Sequence, residues 1–325
     1  MEKTMKALRI EGVTPAGEAE PREVAVPQTK PGWLLVRVRG FGLNHSEQVL
    51  RLGEINAPYV RKPVTPGIEC VGEVADPGDT RFVRGQHVCA LMGGMGRSFD
   101  GSYAEYALLP EHHVFALPES ASELDWDVLA AIPETFYTAW GSLFEGLRLQ
   151  KGDSLLVRGG TCALGFAAIQ IAKALGCRVI ATAHREKRLS ELTSLGCDAI
   201  IDDGRLAEMR LGCNKVLELV GASTLRDSLM AVRKGGIVCQ TGILGGEGAL
   251  SGFDVITGIP NGVFLTGFYS NYPDQETMSE IFDFVAKHGI RPVVAKVFRF
   301  DDLCEALRMQ DTGGFAGKIV VTNKE

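Results

Sequence analysis

The chain has 325 residues and a formal net charge of −6, so it lacks the basic character expected of a nucleic-acid-binding protein. Hydrophobic residues make up 45% and charged residues 23%, as in globular proteins, and no apolar run is long enough to span a membrane. The N-terminus has no apolar signal core, and the eight cysteines form no C-x-x-C pair. We therefore expect two cytoplasmic domains without structural zinc or disulfides.

The first 125 residues are predicted to be mostly β-structure. Candidate strands cover 6–10, 34–38, 73–75 and 87–91, and Gly and Pro residues separate them. A short helix is expected over 46–52. Short strands at this spacing favour a compact, barrel-like domain.

From residue 126 onward, predicted strands alternate with helices. The strands are 155–157, 179–181, 215–219, 236–240, 264–268 and 318–321, and the helices are 126–132, 136–145, 164–175, one ending near 195, 224–232, 275–287 and 300–309. Such alternation is typical of a parallel, doubly wound sheet.

A glycine-rich turn follows the strand 155–157 and precedes the helix 164–175. A turn of small residues lets a pyrophosphate approach the unpaired N–H groups at a helix N-terminus. A glycine at the last position also lets the helix pack closely on the strand. The alternative is an ordinary crossover without a dinucleotide. The candidate cofactor contacts here are Gly160, Thr161, Cys162, Ala163, Leu164 and Gly165.

The end of the second strand of this unit indicates which dinucleotide is bound. An NAD site usually has a carboxylate about 20 residues past the glycines, but this chain has Ala183 there. Basic side chains follow it, which would suit a 2′-phosphate and predict NADPH; a solvated helix start is the alternative. These candidate contacts are His184, Arg185, Lys187 and Arg188.

Shorter motifs recur along the whole chain in a fixed order. They are Gly42-Leu43-Asn44, Pro66-Gly67-Ile68-Glu69, Val71-Gly72-Glu73-Val74, Gly101-Ser102-Tyr103-Ala104-Glu105-Tyr106, Thr138-Ala139, Lys151-Gly152-Asp153, Lys234-Gly235-Gly236 and Gly317-Lys318-Ile319-Val320. With these motifs and the glycine turn, the chain resembles the medium-chain dehydrogenase/reductase superfamily, most closely its zinc-free quinone oxidoreductase branch.

The resemblance implies an α/β fold with a GroES-like β-rich domain and a doubly wound parallel-sheet Rossmann domain. The GroES-like domain would comprise 1–125, completed by 271–325, and the Rossmann domain 126–270. The cofactor would lie in the cleft between them, and the protein would form a homodimer.

The same resemblance bears on metal binding. Zinc-dependent members use a Cys where this chain has Asn44, the His of a G-H-E motif where it has Ile68, and a second Cys where it has Glu134. Catalytic zinc needs three protein ligands close together, so none is expected here. Glu69 beside Cys70 is not expected to form a site by itself.

The resemblance also adds Asn44 and Thr138 as candidate contacts to the nicotinamide half of the cofactor. Gly242 and Ile243 are candidates because they follow the fifth strand of the predicted parallel sheet, Lys318 because it lies in the closing motif, and Phe268 as a residue lining the cleft. His45, Glu47 and Tyr59 are candidates, with Asn44, for positioning the substrate or donating a proton. The alternatives are structural: a capping Asn, solvated residues at a helix start and a packing Tyr.

These observations predict an NADPH-dependent oxidoreductase that passes hydride to a quinone or an α,β-unsaturated carbonyl. Without a Lewis acid, an acceptor that is already electron-poor is the easier substrate. The partner would be a small-molecule carbonyl or quinone, with no nucleic acid and no membrane. Two alternatives stay open at this stage: a zinc-free alcohol dehydrogenase-like reductase, and a non-enzymatic NADPH-binding structural or RNA-binding protein.

Overall fold

The computed structural model describes residues 3–254 and 256–323. The chain forms two compact units, one of residues up to 137 together with those from 271 onward, and one of residues 138–270. The predicted α/β class, a β-rich domain together with a parallel sheet, is confirmed. Among the described residues, no helix is long and apolar enough to cross a membrane.

The strands and helices, in chain order, are β1 (Thr4–Ala7), β2 (Arg22–Ala25), β3 (Trp33–Gly42), α1 (His45–Leu52), β4 (Glu69–Asp76), β5 (His87–Leu91), β6 (Tyr106–Pro110), β7 (Val114–Ala116), α2 (Trp126–Ala130), α3 (Pro133–Gly141), β8 (Ser154–Arg158), α4 (Ala163–Leu175), β9 (Arg178–Ala183), α5 (Leu189–Thr193), β10 (Asp198–Ile201), β11 (Lys215–Glu218), α6 (Ala222–Ala231), β12 (Ile237–Gln240), β13 (Phe264–Gly267), α7 (Gln275–Lys287), β14 (Val294–Arg299), α8 (Leu303–Thr312) and β15 (Lys318–Thr322).

The β-rich unit is organised by a seven-stranded sheet in which β3 is central. The main path runs β14-β15-β3-β4-β5-β7, and β6 also pairs with β3. The C-terminal strand β15 lies antiparallel to β3, with Val320 opposite Gly42. Apolar side chains of β3, among them Leu34, Val36 and Val38, are fully buried in the core of this unit. The last segment of the chain therefore completes the sheet that the first segment begins.

The second unit is a six-stranded parallel sheet in the order β10-β9-β8-β11-β12-β13. If the strands of this unit are numbered along the chain, their order in the sheet is 3-2-1-4-5-6. In sheets of this order, ligands bind beyond the carboxyl ends of the strands, at the point where the strand order reverses. That point lies between β8 and β11. The glycine turn follows β8, and α4 begins at Ala163. Gly176, predicted to end this helix, adopts the left-handed conformation with φ of 87°.

A buried arginine ties the carboxyl ends of the strands together in the second unit. Arg158, the last residue of β8, is fully buried and forms a bidentate pair with Asp202, with N–O distances of 2.7 and 2.8 Å. Its Nη1 also lies 2.8 Å from Asp227 and donates to the Ser228 hydroxyl. Ser228 in turn donates to Glu218 at the end of β11. This network fixes the strand ends beside the glycine turn.

Several predicted element bounds are corrected by the structure. The strand predicted over 6–10 is β1 at Thr4–Ala7, and β2, β6, β7, β10 and β14 had no predicted counterpart. The helix predicted from Phe136 begins at Pro133 and ends in a π-helical turn, Ser142–Gly146. Proline is well tolerated in the first turn of a helix, because its missing N–H would have no partner there. Two separate helices are present as predicted, but Pro133 is the first residue of the second helix and not part of the connection between them.

The compact units divide at 137/138, whereas the change in sequence pattern suggests 125/126. Helix α2 packs against β3, β4 and β15 of the β-rich sheet. A Cβ on Gly40 of β3 would lie 3.0 Å from Cβ of Ala130, so the helix approaches the strand closely. This packing groups α2 with the β-rich unit, although in sequence it opens the part of the chain where strands and helices alternate.

Gly165 is the position in the glycine turn where a side chain is least tolerable. A Cβ there would lie 2.5 Å from the Gly160 carbonyl oxygen and 2.8 Å from its Cα, both backbone atoms. We expect Gly165→Ala to lower the free energy of unfolding by about 1–3 kcal/mol, because the turn must move to admit the methyl group.

Gly248→Ala is the matched control, since nothing lies within 4 Å of its Cβ position. Its effect should stay within about 0.5 kcal/mol. Denaturant unfolding of both variants and the wild type measures the difference. Equal effects in the two variants would contradict the close helix–strand approach.

Candidate active site

Five polar side chains lie together inside the β-rich unit. We call this group, Asn44, Glu47, Glu69, Thr135 and Lys318, the Lys318 cluster. Apart from the half-buried Asn44, its members are at most 6% exposed. Buried charges are costly unless they are paired and hydrogen-bonded, so such a group is a candidate functional site.

The fold brings these residues together from four segments. Asn44 follows β3 and is the N-cap residue of α1, Glu69 opens β4, and Lys318 opens β15. A Cβ on Gly42 would lie 2.0 Å from Cε of Lys318 and 2.8 Å from Oε1 of Glu69. Glycine at the end of β3 therefore leaves the space that the lysine side chain occupies.

The ammonium of Lys318 contacts three oxygen acceptors. Its Nζ lies 2.5 Å from Oδ1 of Asn44, 2.8 Å from Oε1 of Glu69 and 2.8 Å from Oγ1 of Thr135. An ammonium group has three N–H donors, so this geometry uses all of them. Burial disfavours the charge, but the carboxylates of Glu69, Glu134 and Glu47 outweigh it and raise the pKa of Lys318.

The carboxylate of Glu69 is fully buried and satisfied on both oxygens. Oε1 accepts from Lys318 and from Nδ2 of Asn44, the latter at 2.9 Å. Oε2 accepts from the backbone N–H of Glu134 at 2.8 Å. The side chain of Asn44 is thus held at both ends, since its oxygen accepts from the lysine and its nitrogen donates to the glutamate.

Glu47 joins the cluster from the third helical position of α1. Its carboxylate accepts from the backbone N–H of Asn44 at 3.0 Å and of Ile68 at 3.1 Å. The Glu47 residue is 2% exposed. Burial raises the pKa of Glu47 to about 7, although the Ile68 hydrogen bond and the Lys318 charge oppose the shift. This carboxyl group therefore changes its protonation near neutral pH.

Two other predicted substrate-positioning residues lie outside the cluster. His45 is exposed, and its Nδ1 lies 2.9 Å from Oε1 of Gln48. Tyr59 is 63% exposed, and its hydroxyl donates to Glu54, which also pairs with Arg97. Of the four predicted substrate-positioning residues, the structure places only Asn44 and Glu47 in one cluster. Helix periodicity turns His45 to the opposite side of α1, and Tyr59 lies in a separate loop.

The second unit has a candidate site of its own, the glycine turn before α4. Cys162 is the N-cap residue of α4, and its Sγ accepts from the N–H of Gly165 at 3.2 Å. The Gly160 N–H donates to the carbonyl of Thr182 at 2.9 Å, which fastens the turn to β9. Ala163 and Leu164 form the first turn of a 13-residue helix. Small residues before such a helix N-terminus fit the pyrophosphate of a dinucleotide.

The basic residues after β9 are arranged in two ways. His184, Arg185 and Lys187 are exposed. Arg188 is half-buried, with Nε 2.8 Å from Glu191 and Nη2 donating to the carbonyl of Thr161 at 2.9 Å. Arg188 therefore braces the glycine turn, whereas Arg185 and Lys187 point to solvent beside it.

The remaining predicted cofactor contacts in this unit surround the end of β12 and α3. Thr138 is 6% exposed, and its carbonyl accepts from Ser142, whose hydroxyl lies 2.9 Å from that of Thr241. A Cβ on Gly242 would lie 2.4 Å from the Leu219 carbonyl oxygen. The Ile243 side chain is exposed, and the ring of Phe268 packs on Gly141 of α3.

Two members of the cluster were missed by the sequence reasoning. Glu69 had a signal, since it occupies the last position of the family's G-H-E motif, but it was treated as unable to form a site beside Cys70. The partner of Glu69 is Lys318, whose Nζ lies 2.8 Å from Oε1, and not its chain neighbour Cys70. Thr135 carries no sequence signal of its own.

The residues present do not fit a catalytic zinc ion. The resemblance places Asn44, Ile68 and Glu134 at the zinc-ligand positions, and the ammonium of Lys318 binds Asn44, Glu69 and Thr135. Across residues 3–254 and 256–323, no group of three or more His, Cys, Asp or Glu side chains is arranged to hold a metal ion.

Comparison with known proteins gives matches over both units. Residues 30–119 match the alcohol dehydrogenase GroES-like domain, and residues 163–287 match the zinc-binding dehydrogenase family. Human quinone oxidoreductase is 30% identical over 258 residues, which cover 75% of each chain.

Two further proteins match over nearly the whole chain. A zinc-type alcohol dehydrogenase-like protein of Schizosaccharomyces pombe is 28% identical, covering 94% of this chain and 95% of its own. A solved structure described as an NAD-dependent alcohol dehydrogenase superposes with a TM-score of 0.84 at 26% identity, covering 98% of this chain and 99% of that one.

The raised pKa of Glu47 makes stability depend on pH. The pKa of this carboxyl group is about 7 in the folded protein and about 4.3 in the unfolded chain. At pH values between these two, the group takes up a proton when the chain folds. The folded state then binds more protons, so stability falls as pH rises through this range. We expect Glu47→Gln, which cannot ionise, to gain about 2–3 kcal/mol relative to wild type between pH 5 and pH 8.

Denaturant unfolding at the two pH values measures this change. Glu123→Gln is the control, since its side chain is exposed, and it should show no such trend. A difference between Glu47→Gln and wild type that stays constant from pH 5 to pH 8 would contradict the assignment.

Proposed function

Because the chain belongs to the medium-chain dehydrogenase/reductase superfamily, we propose that this oxidoreductase uses NADPH to reduce a quinone or an α,β-unsaturated carbonyl without a catalytic metal. Membership implies a nicotinamide cofactor. The observation that carries the metal-independent part is the Lys318 cluster. Its ammonium binds Asn44, which the resemblance places at a zinc-ligand position, and also Glu69 and Thr135.

The two units contribute different functions to this reaction. A bound reduced nicotinamide supplies a hydride. The turn from Gly159 to Gly165 binds the pyrophosphate through α4, whose N-terminal N–H groups favour anions. Thr138, by the resemblance, and Gly242, Ile243 and Phe268, by their place after the last two strands of the sheet, belong to the nicotinamide half. These residues position the ring.

Asn44 is the side chain of the Lys318 cluster that we propose to contact the cofactor or substrate. Hydrogen bonds from Lys318 and to Glu69 fix the plane of its amide. Glu47 holds the N-terminus of α1, from which His45 extends into solvent. His45 stays a candidate proton donor from the resemblance alone, because it lies outside the cluster. No positive charge in the cluster is free to polarise a simple alcohol or ketone.

The choice of NADPH is supported by the end of β9. Ala183 leaves this strand without the carboxylate that would bind a ribose diol, and Arg185 and Lys187 are exposed directly after it. A similar solved structure is described as NAD-dependent, so the preference requires a direct test. The homodimer, the cytoplasmic location and the domain bounds at 125/126 and 270/271 stay predictions.

Arg185 and Arg188 provide a matched pair for testing the cofactor. Arg185→Ala should weaken NADPH binding about 10- to 100-fold, the loss expected for one charge-assisted hydrogen bond, and leave NADH binding nearly unchanged. Arg188→Ala should weaken both cofactors, because Arg188 braces the Thr161 carbonyl of the turn. Fluorescence titration with each cofactor measures both effects. Equal weakening of NADPH and NADH by Arg185→Ala would contradict the 2′-phosphate assignment.

A panel of acceptors tests the reaction itself. NADPH oxidation should proceed with quinones or 2-alkenals and be at least about 100-fold slower with the corresponding saturated aldehydes and ketones, since nothing polarises their carbonyls. Incubation with a metal chelator should leave the rate unchanged. Faster turnover of saturated carbonyls would favour the alcohol dehydrogenase-like alternative, and tight NADPH binding without any turnover would favour a non-enzymatic role.

A further inference from the structure

The carboxyl ends of β8, β9 and β10 are joined by one continuous set of hydrogen bonds. The glycine turn, which follows β8, is attached to β9, because the N–H groups of Gly159 and Gly160 donate to the hydroxyl and the carbonyl of Thr182, both at 2.9 Å. Asp202, which follows β10, is attached to β9 as well, through its own N–H and the Ala183 carbonyl at 3.0 Å. The turn and the end of β10 are therefore bonded to two successive residues of β9.

Arg158 closes this set of contacts from inside the unit. It is the last residue of β8, it directly precedes the turn, and it is fully buried. Its Nε and Nη2 donate to the two carboxylate oxygens of Asp202 at 2.7 and 2.8 Å. A guanidinium and a carboxylate joined by two parallel hydrogen bonds have a fixed mutual orientation. Arg158 and Asp202 therefore hold the start of the turn in a set position relative to the ends of β9 and β10.

We propose that the Arg158–Asp202 pair positions the two phosphate-binding segments and thereby sets cofactor specificity. This inference rests on the proposed function, in which the turn binds the pyrophosphate, and Arg185 and Lys187, shortly after β9, bind the 2′-phosphate. NADPH must reach both segments at once, whereas NADH lacks the 2′-phosphate and needs the turn alone. A pair that fixes the spacing of the two segments favours NADPH over NADH without contacting either cofactor.

Preorganisation is the physical reason for this preference. A ligand with two anionic groups gains fully from the second contact only when both anion sites are already held at the right spacing. If the segment after β9 moved independently of the turn, ordering it would cost conformational entropy and offset the new contact. Arg188 anchors the far end of this segment through the Thr161 carbonyl. The Arg158–Asp202 pair fixes the near end, which begins at Ala183.

Three carboxylates neutralise the one guanidinium. Besides Asp202, Asp227 of α6 lies 2.8 Å from Nη1, and Glu218 is linked to Nη1 through the hydroxyl of Ser228. Burial disfavours the positive charge, but these carboxylates outweigh it and raise the pKa of Arg158. Leaving a buried charge without a partner is the costly case. Removing a single carboxylate avoids that case, so we expect such variants to fold.

Asp202→Asn and Asp227→Asn are a matched pair, since each removes one negative charge from the same guanidinium. Asp227 is bonded to the backbone of Leu206 and Ala207 and not to β9. We expect Asp202→Asn to weaken NADPH binding at least about 10-fold and NADH binding less than about 3-fold, because one charged hydrogen bond of the clamp is lost. Asp227→Asn should leave the Kd of both cofactors nearly unchanged. Fluorescence titration measures all four values, and circular dichroism establishes folding.

Equal weakening of NADPH and NADH by Asp202→Asn, or equal effects of the two variants, would overturn the proposal, since either result is typical of a merely structural pair. Wild-type protein that binds NADH better than NADPH would overturn the cofactor assignment of the proposed function and this inference with it. Wild-type preference for NADPH that persists in Asp202→Asn would overturn the inference alone, so the two failures are distinguishable.

Hydrogen–deuterium exchange of the cofactor-free proteins gives a readout that does not depend on cofactor binding. Asp202→Asn should speed amide exchange both in the glycine turn and in the segment after β9, because the contact that holds them together is loosened. Asp227→Asn should leave exchange in both segments as in wild type. Unchanged exchange in Asp202→Asn would contradict the positioning role.

Discussion

A buried charge must be neutralised by groups within hydrogen-bonding distance, and this constraint organises the β-rich unit. Lys318 and Glu69 lie inside the unit, and each satisfies the other. Their pairing requires β15 to return beside β3, the glycine at position 42, and α3 to present Thr135. Removing either charge would leave the other without compensation, which is far more costly than the pair is stabilising. The C-terminal segment is thus fixed by its charge as well as by its strand pairing.

The second unit was largely predictable because its signals are local. Apolar runs such as 155–157 mark buried strands, and Gly176 supplies the left-handed residue that ends α4. The short strands β2, β6, β7 and β10 were missed, since three to five residues at a sheet edge or on a polar background carry too little periodicity. Helix α2 was predicted as a helix from its sequence pattern, but the unit to which it belongs was not. Its packing on β3 depends on contacts between segments distant in sequence, which the local pattern does not contain.

The candidate site was predictable in its parts and not in its arrangement. Asn44 and Lys318 were both identified from motifs, but as separate contacts to the cofactor. Their hydrogen bond joins residues 274 positions apart, and no spacing in the sequence encodes it. Glu69 was set aside because its chain neighbour Cys70 cannot complete a metal site, whereas its actual partner comes from the other end of the chain. Arg188 was grouped with the solvent-exposed cations, although its contact with Thr161 assigns it to the turn.

A buried lysine and a catalytic zinc ion support different chemistry. Zinc keeps an open coordination position and polarises a substrate oxygen directly. The ammonium of Lys318 has all three donors in use and is 3% exposed, so it cannot reach a substrate. Its influence passes through the amide of Asn44, which it polarises and holds in one plane. In the proposed metal-independent reaction, the acceptor supplies its own electron deficiency, as a quinone or an enone does, and the protein contributes orientation instead of Lewis acidity.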